Sequence, residues 1–312
     1  MPRIVTFTPN PAVDVSTSTE KLVHTKKLRC GPARRDPGGG GINVARVIQR
    51  LAGDVLALYP AGGATGRLLN RLVEQEGIRG VTVTVEDETR EDFTVLEEAT
   101  GLQYRFVMPG PHLTESEWHA CLDALGALEA GIDFVVASGS LPGGVPDDFY
   151  ARAARQAARL GAKFVLDSSG PALAAAMTEP VFLIKPNLGE LSRFVGGPLP
   201  TEEKCIAAAR RFIISGQTEI VALTLGHRGA LLVTRDLAFR APPLAVKVES
   251  AVGAGDSFLG AMVLSLACGA PVEEAFRYGV AAGSAALLSP GTQLCRAEDV
   301  EALYEKVIVE PA

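Results

Sequence analysis

The segment Ser250-Ala251-Val252-Gly253-Ala254-Gly255-Asp256-Ser257 sets a carboxylate directly after two glycines separated by one alanine, and an apolar helical run over residues 258–268 follows. Glycines at that spacing let backbone N–H groups approach a ligand closely, and a helix starting there adds its positive end, so the turn can bind an anion. An aspartate alone at a helix start is ordinarily a cap. A cap, however, needs no Gly-Ala-Gly before it. A carboxylate beside a phosphate-sized anion hole is what phosphoryl transfer to a hydroxyl requires. At a helix start, Asp256 is expected to have a lowered pKa.

A second cluster, Pro37-Gly38-Gly39-Gly40-Gly41-Ile42-Asn43-Val44-Ala45-Arg46, places four glycines before a helix start. Glycine alone fits a flexible loop equally well. The polar Asn43 at the mouth of the helix favours a loop that binds a polyol or a phosphate. The sequence contains no GxxxxGK[ST], so this is not a Walker A loop, and no GxGxxG opens a βαβ unit, which counts against a Rossmann dinucleotide enzyme.

These residues must be held by elements that the pattern also predicts. Apolar runs at residues 4–8, 133–137, 163–167, 182–185, 220–224 and 230–234 read as strands buried on both faces. Amphipathic helices lie between them. One opens on a Thr114/Glu117 capping box and carries Trp118, Leu122, Leu125 and Leu128 on one side; another follows Pro146 with Phe149, Ala153, Ala157 and Leu160. The order predicts a doubly wound α/β fold with a mostly parallel sheet and ligands at the carboxyl ends of its strands.

Residues 12–36 and 81–108 alternate instead, which marks strands with one wet face. They are expected to form a small discontinuous β-sheet lid, with residues 1–11, 37–80 and 109–312 as the major domain. A small sheet with an uncovered apolar face aggregates unless paired, so a homodimer through the lids is expected. Lys27, Arg29, Arg90 and Arg105 lie on this lid. A sugar phosphate needs cations at its far end and a bare sugar does not, so these four favour a phosphorylated substrate.

Composition sets the outer bounds. Of 312 residues, 47% are hydrophobic and 21% charged, as in a globular chain, and no apolar run is long enough for a membrane span. The start, Met1-Pro2-Arg3-Ile4-Val5, reads as strand rather than signal peptide. The five cysteines form no CxxC pair, which fits a reducing, cytoplasmic setting. The four histidines form no metal-binding spacing, and a net charge of −6 argues against nucleic acid as a partner.

Gly39-Gly40-Gly41-Ile42-Asn43-Val44-Ala45-Arg46, Ser138-Gly139-Ser140-Leu141-Pro142, Lys185-Pro186-Asn187 with Glu190, and Val252-Gly253-Ala254-Gly255-Asp256-Ser257 together resemble the PfkB, or ribokinase-like, family of carbohydrate kinases along the whole chain. Residues 27–30, 60–66, 103–110, 280–286 and 291–295 are most similar to members that phosphorylate fructose 6-phosphate. The resemblance implies an ATP- and Mg²⁺-dependent kinase that converts fructose 6-phosphate to fructose 1,6-bisphosphate. The Asn10-Pro11-Ala12-Val13-Asp14 start is equally typical of kinases acting on tagatose 6-phosphate or fructose 1-phosphate, which stay as alternatives. A sugar-phosphate sensor with a dead kinase site is the alternative from another class.

By the same resemblance Asp256 is the base, and Gly253, Ala254 and Gly255 line the anion hole. Asp14, Gly39, Gly40, Asn43 and Ser140 take the sugar, with Lys27, Arg29, Arg90 and Arg105 at its phosphate. Lys185, Asn187, Thr224 and Gly226 hold ATP, and Glu190 orders the Mg²⁺ shell through water. Ser250, Val252, Ala286, Ser289, Gly291 and Gln293 stand where the family builds a K⁺ site, and Ser289 and Gln293 depart from its usual residues there.

Overall fold

The computed structural model describes residues 3–312; Met1 and Pro2, with which the expected first segment begins, lie outside the described residues. The chain opens with β1 (Ile4–Phe7), then leaves the main body for β2 (Ala12–Thr19) and β3 (Arg34–Gly38). It returns through α1 (Gly40–Arg50), β4 (Val55–Gly62), α2 (Gly63–Gln75) and β5 (Arg79–Val85). A second excursion makes β6 (Arg90–Glu97) and β7 (Leu102–Phe106). Regular alternation follows: α3 (Glu115–Gly126), β8 (Phe134–Ser138), α4 (Phe149–Arg159), β9 (Lys163–Asp167), α5 (Gly170–Ala176) and β10 (Val181–Ile184). Then come α6 (Leu188–Phe194), α7 (Glu202–Ile214), β11 (Thr218–Thr224), β12 (Ala230–Val233) and β13 (Ala238–Ala241). Three helices, α8 (Ala254–Ala267), α9 (Val272–Ala286) and α10 (Ala297–Tyr304), and the short β14 (Glu310–Pro311) complete the chain.

Ten strands form one sheet in the order β14-β13-β12-β11-β10-β9-β8-β1-β4-β5. Pairing is parallel from β11 through to β5, while β12, β13 and β14 extend the sheet antiparallel. Helices α1, α8, α9 and α10 bury one face of the sheet, and α3, α4, α5 and α7 bury the other. The predicted capping box is present at Thr114/Glu117, and a second one, not expected from the sequence, joins Asn187 and Glu190. From β1 the chain steps outward to β4 and β5, and later from β8 to β9, β10 and β11 in the opposite direction. The switch point therefore lies between β1 and β8, where ligands are expected at the carboxyl ends.

The second sheet has four strands in the order β3-β2-β6-β7. One expected boundary needs correction. Residues 81–85, read as lid, belong to β5, the parallel edge strand of the large sheet beside β4. Alternation reports one wet face, and an edge strand packed on a helix at one side has such a face as surely as a lid strand does. The small sheet itself is built from residues 12–38 and 90–106.

Candidate active site

At the carboxyl end of β1 and β8 the glycine-rich loop makes the first helix fit. Gly39 has φ +104°, and a Cβ on Gly40 would stand 2.1 Å from Ser138 Oγ, so α1 can begin against these two strands only without side chains. Asn43 is thereby directed toward the second motif, where its Nδ2 donates to Asp256 Oδ2 at 2.9 Å. Helix α8 starts inside that motif rather than after it: Gly253 is its N-cap, in the left-handed conformation at φ 75°, and Asp256 lies in the first turn. The first-turn N–H groups of Gly255 and Asp256 have no backbone acceptor among the described residues, and that of Ala254 makes only a long 3.5 Å bond to the carbonyl of Ala251, so the turn can bind an anion.

Lys185, just past β10, reaches the same place. Its Nζ pairs with Asp167 Oδ2 at 3.1 Å, and a Cβ added to Gly255 would sit 3.2 Å from that nitrogen. Burial opposes the Lys185 charge, but the carboxylates of Asp167 and Asp256 outweigh it and hold the ammonium above the usual lysine range. Burial pushes Asp167 up to about 6 against the pull of Lys185. Asp256 departs from the sequence-based expectation. Its carboxyl is raised, because desolvation in the cleft outweighs the opposing effects of the Asn43 hydrogen bond and of Lys185, Arg105 and Arg46. A helix terminus contributes a fraction of a charge, whereas desolvation acts on the whole one.

The lid supplies the rest. Cross-strand register puts Asp14, Arg90, Asp92 and Arg105 on one face of the small sheet. Burial and the neighbouring Asp92 push Asp14 up to about 7 although Arg46, Arg105 and Arg90 pull it down. Arg90 donates to the carbonyls of Met108 (3.0 Å) and Asn10 (3.2 Å) and pairs with Asp92 at 3.5 Å. Arg105 is exposed and has no ion-pair partner among the described residues. Ser140 meets the site through Asn10, whose Nδ2 donates to its Oγ at 3.2 Å. Gln103, on the same lid face, bonds the backbone of Glu249 and the hydroxyl of Ser250, fastening β7 to the segment that leads into the Gly-Ala-Gly turn.

Behind the turn opens a cavity of about 700 Å³, lined by Asn187, Thr224 and Gly226 on one side and by Ala254, Gly255 and Phe258 on the other. Leu244, Val246, Val280 and Leu287 make much of its wall apolar, suiting a flat heterocycle with a charged tail at the turn. Lys185 is not in this wall; it stands at the anion hole. The side chains of Asn187 and Glu190 are engaged with each other's backbone in the capping box. Lys27 and Arg29 lie in the exposed loop between β2 and β3, and their side chains make no hydrogen bond or ion pair to a site residue among the described residues.

Around residues 286–293, Ser250 Oγ donates to the carbonyl of Gly291, and the buried Ser289 Oγ has no partner. The carbonyl of Gln293 is taken by Arg50. Four participants were not singled out from sequence: Asn10, Arg46, Asp92 and Asp167. Asn10 and Arg46 stand in the quoted Asn10–Asp14 and Gly39–Arg46 motifs but were given no role. Asp167 carried a signal as the acidic last residue of a strand in a doubly wound sheet, and Asp92 carried none.

The pfkB family carbohydrate kinase model matches residues 10–299. The ATP-dependent 6-phosphofructokinase isozyme 2 of Mycobacterium tuberculosis is 46% identical over 304 residues, covering 97% of this chain and 89% of that protein. Two crystal structures of phosphofructokinase-2 from Escherichia coli superpose over 98% of this chain and 99% of theirs. The complex with potassium has a TM-score of 0.94 at 43% identity, and the complex with fructose-6-phosphate 0.92 at 42%. The chain belongs to the pfkB family of carbohydrate kinases, and its fold is ribokinase-like.

Proposed function

We propose that this enzyme is an ATP-dependent 6-phosphofructokinase, which transfers the γ-phosphoryl of ATP to the 1-hydroxyl of fructose 6-phosphate and releases fructose 1,6-bisphosphate and ADP. The observation that carries it is the convergence of Asp256, Asn43, Lys185 and the Gly-Ala-Gly turn at the end of a nucleotide-sized cavity, beneath a lid face bearing Arg90 and Arg105.

Each residue has a task. Asn187, Thr224 and Gly226 receive the nucleotide. Asp14, Gly39, Gly40, Asn43 and Ser140 orient the sugar hydroxyls, while Arg90 and Arg105 neutralise the phosphate that the sugar already carries. Asp256 accepts the proton of the attacking hydroxyl as its oxygen bonds to the γ-phosphorus and the bond to the ADP oxygen breaks. The transition state is loose and the proton moves late, so a carboxylate is base enough. Lys185 and the N–H groups of Gly253, Ala254 and Gly255 take up the equatorial charge.

No group of three or more acidic, histidine or cysteine side chains is arranged for a metal among the described residues. That fits Mg²⁺, which binds through phosphates and water with one or two carboxylates, and Glu190 would order its water shell. Bound there, it neutralises phosphate charge. For a monovalent cation, the oxygens of Ser250, Val252, Ala286, Ser289 and Gly291 are the donors. The unpartnered Ser289 Oγ supports this reading, while the Gln293 carbonyl already accepts from Arg50 and that of Gly291 from Ser250 Oγ.

The four-stranded sheet serves as lid and dimer interface, with Lys27 and Arg29 reaching the neighbouring subunit's site. All five cysteines are free, in keeping with a reducing, cytoplasmic compartment. An ADP-coupled assay over a panel of ketose phosphates tests the whole reading. We expect kcat/KM for fructose 6-phosphate at least about 10-fold above tagatose 6-phosphate and fructose 1-phosphate, a difference of ~1.4 kcal/mol in transition-state binding. The reverse order would move the substrate assignment to the alternative, and no sugar-dependent ADP formation would leave a sensor.

A further inference from the structure

Arg46 is fully buried at 0% exposure on α1. A guanidinium stays protonated in a protein, and burial works against its charge. Here the charge is matched by Glu76 at 3.0 Å and Asp36 at 3.5 Å. Stability alone does not call for such a cluster, since well-packed apolar residues do as well or better in its place. The fork has further duties: Nη1 donates to the carbonyls of Pro37 (3.1 Å) and Thr292 (3.3 Å) and to Asn43 Oδ1 at 3.2 Å.

The last contact decides how Asn43 meets the base. An amide has an accepting end and a donating end. With the guanidinium on Oδ1, the nitrogen must face Asp256, as it does at 2.9 Å. The flipped amide would set its NH₂ against the guanidinium and its oxygen against a carboxylate.

We propose that Arg46 is a positioning residue for phosphoryl transfer: by holding Asn43 Oδ1 it fixes the amide nitrogen on Asp256 and so aims the carboxylate at the acceptor hydroxyl. This deepens the kinase reading above and rests on it. The same contact favours the ionised form of Asp256, as do Lys185 and Arg105, while burial and the neighbouring carboxylate of Asp167 oppose it.

Arg46→Lys tests this, because it keeps a positive charge beside Asp36 and Glu76 and loses the fork. The expected result is a kcat about 10-fold lower with KM for ATP unchanged. The acid limb of the kcat–pH profile moves to higher pH, since a base without the Asn43 hydrogen bond holds its proton more tightly. In an Asn43→Ala background Arg46→Lys then has no further effect on kcat, as expected when one residue acts through the other. Should Arg46→Lys fail to fold, Glu76→Gln loosens the guanidinium from outside the site and gives a smaller loss with the same pH displacement.

Wild-type kcat and pH profile in the folded variant, or an equal loss in the Asn43→Ala background, overturns the proposal. A lowered Tm with no change in the pH profile does the same. An unaltered enzyme that phosphorylates no sugar phosphate sinks the kinase reading before any variant is made. An active enzyme indifferent to Arg46→Lys sinks only this proposal.

Discussion

Asp256 and Asp14 are both carboxylates raised by burial, yet the cost buys different things. At Asp256 the surrounding donors partly restore the ionised form that a base needs. Asp256→Asn keeps the shape and loses the proton acceptor, so kcat should fall by about 10² to 10⁴ with ATP affinity retained. Near-wild-type turnover in that variant, measured by coupled assay, would remove Asp256 from its role. Asp14, proposed to take the sugar hydroxyls, is pushed to about 7 at the expense of the folded state. Between pH 4 and 7 the folded chain keeps a proton that the unfolded chain has released, so this group makes stability fall as pH rises through that window. Asp14→Asn never ionises. It should therefore be more stable than the unaltered protein by an amount that grows from near zero at pH 4 to roughly 4 kcal/mol at pH 8, while KM for the sugar phosphate rises. Thermal melts of both proteins across that range check it, and a constant or shrinking gap would refute it.

At the scale of the element, the two arginines of the small sheet proposed to meet the sugar's phosphate are held differently. Arg90 is bound into the sheet through the carbonyls of Asn10 and Met108, whereas Arg105 projects from β7 without an ion-pair partner among the described residues. Losing one charge-assisted contact to a desolvated phosphate costs about 1.5–3 kcal/mol, or roughly 10- to 150-fold in affinity. Arg105→Ala should raise KM for fructose 6-phosphate by that factor and leave both KM for ATP and Tm near their original values. Arg90→Ala should raise the same KM and also lower Tm, because the carbonyl of the buried Asn10 and that of Met108 lose their donor and Asp92 loses its ion pair. Steady-state kinetics beside calorimetry separates the two; equal Tm losses would mean that Arg105 is structural as well.

For the whole molecule, the question is what covers the other face of the lid. Leu102, Tyr104 and Phe106 are 56%, 37% and 47% exposed, and they alternate along β7 with the inward-facing Gln103 and Arg105. Val95 pairs with Tyr104 across the strands and shares that outer face. An apolar strip of this kind on an edge strand is the sort of surface a second copy buries. A dimer joined there would also set the exposed loop carrying Lys27 and Arg29 beside the neighbouring site. Val95→Asp should give a monomer by light scattering and lower activity with it. A fully active monomer of the unaltered enzyme at assay concentration would end the idea.

The sequence by itself determined what depends on near neighbours along the chain. The capping box at Thr114, the parallel strands β1, β8, β9, β10 and β11, the glycine turn before Asp256 and the loop before Asn43 sit where spacing placed them, whereas β4 was not among the expected strands and β12 pairs antiparallel. Periodicity could not tell an edge strand from a lid strand, so residues 81–85 went to the wrong sheet: both leave one face in water. Tertiary structure alone decided the chemistry of the site. Asn43 and Asp256 are 213 positions apart, and Thr292 reaches Asp36 across 256. Whether Asp256 is raised or lowered depends on how completely those distant segments exclude water from it. The helix start was legible as a local dipole; burial is a sum over the whole fold, and no short stretch of residues contains it.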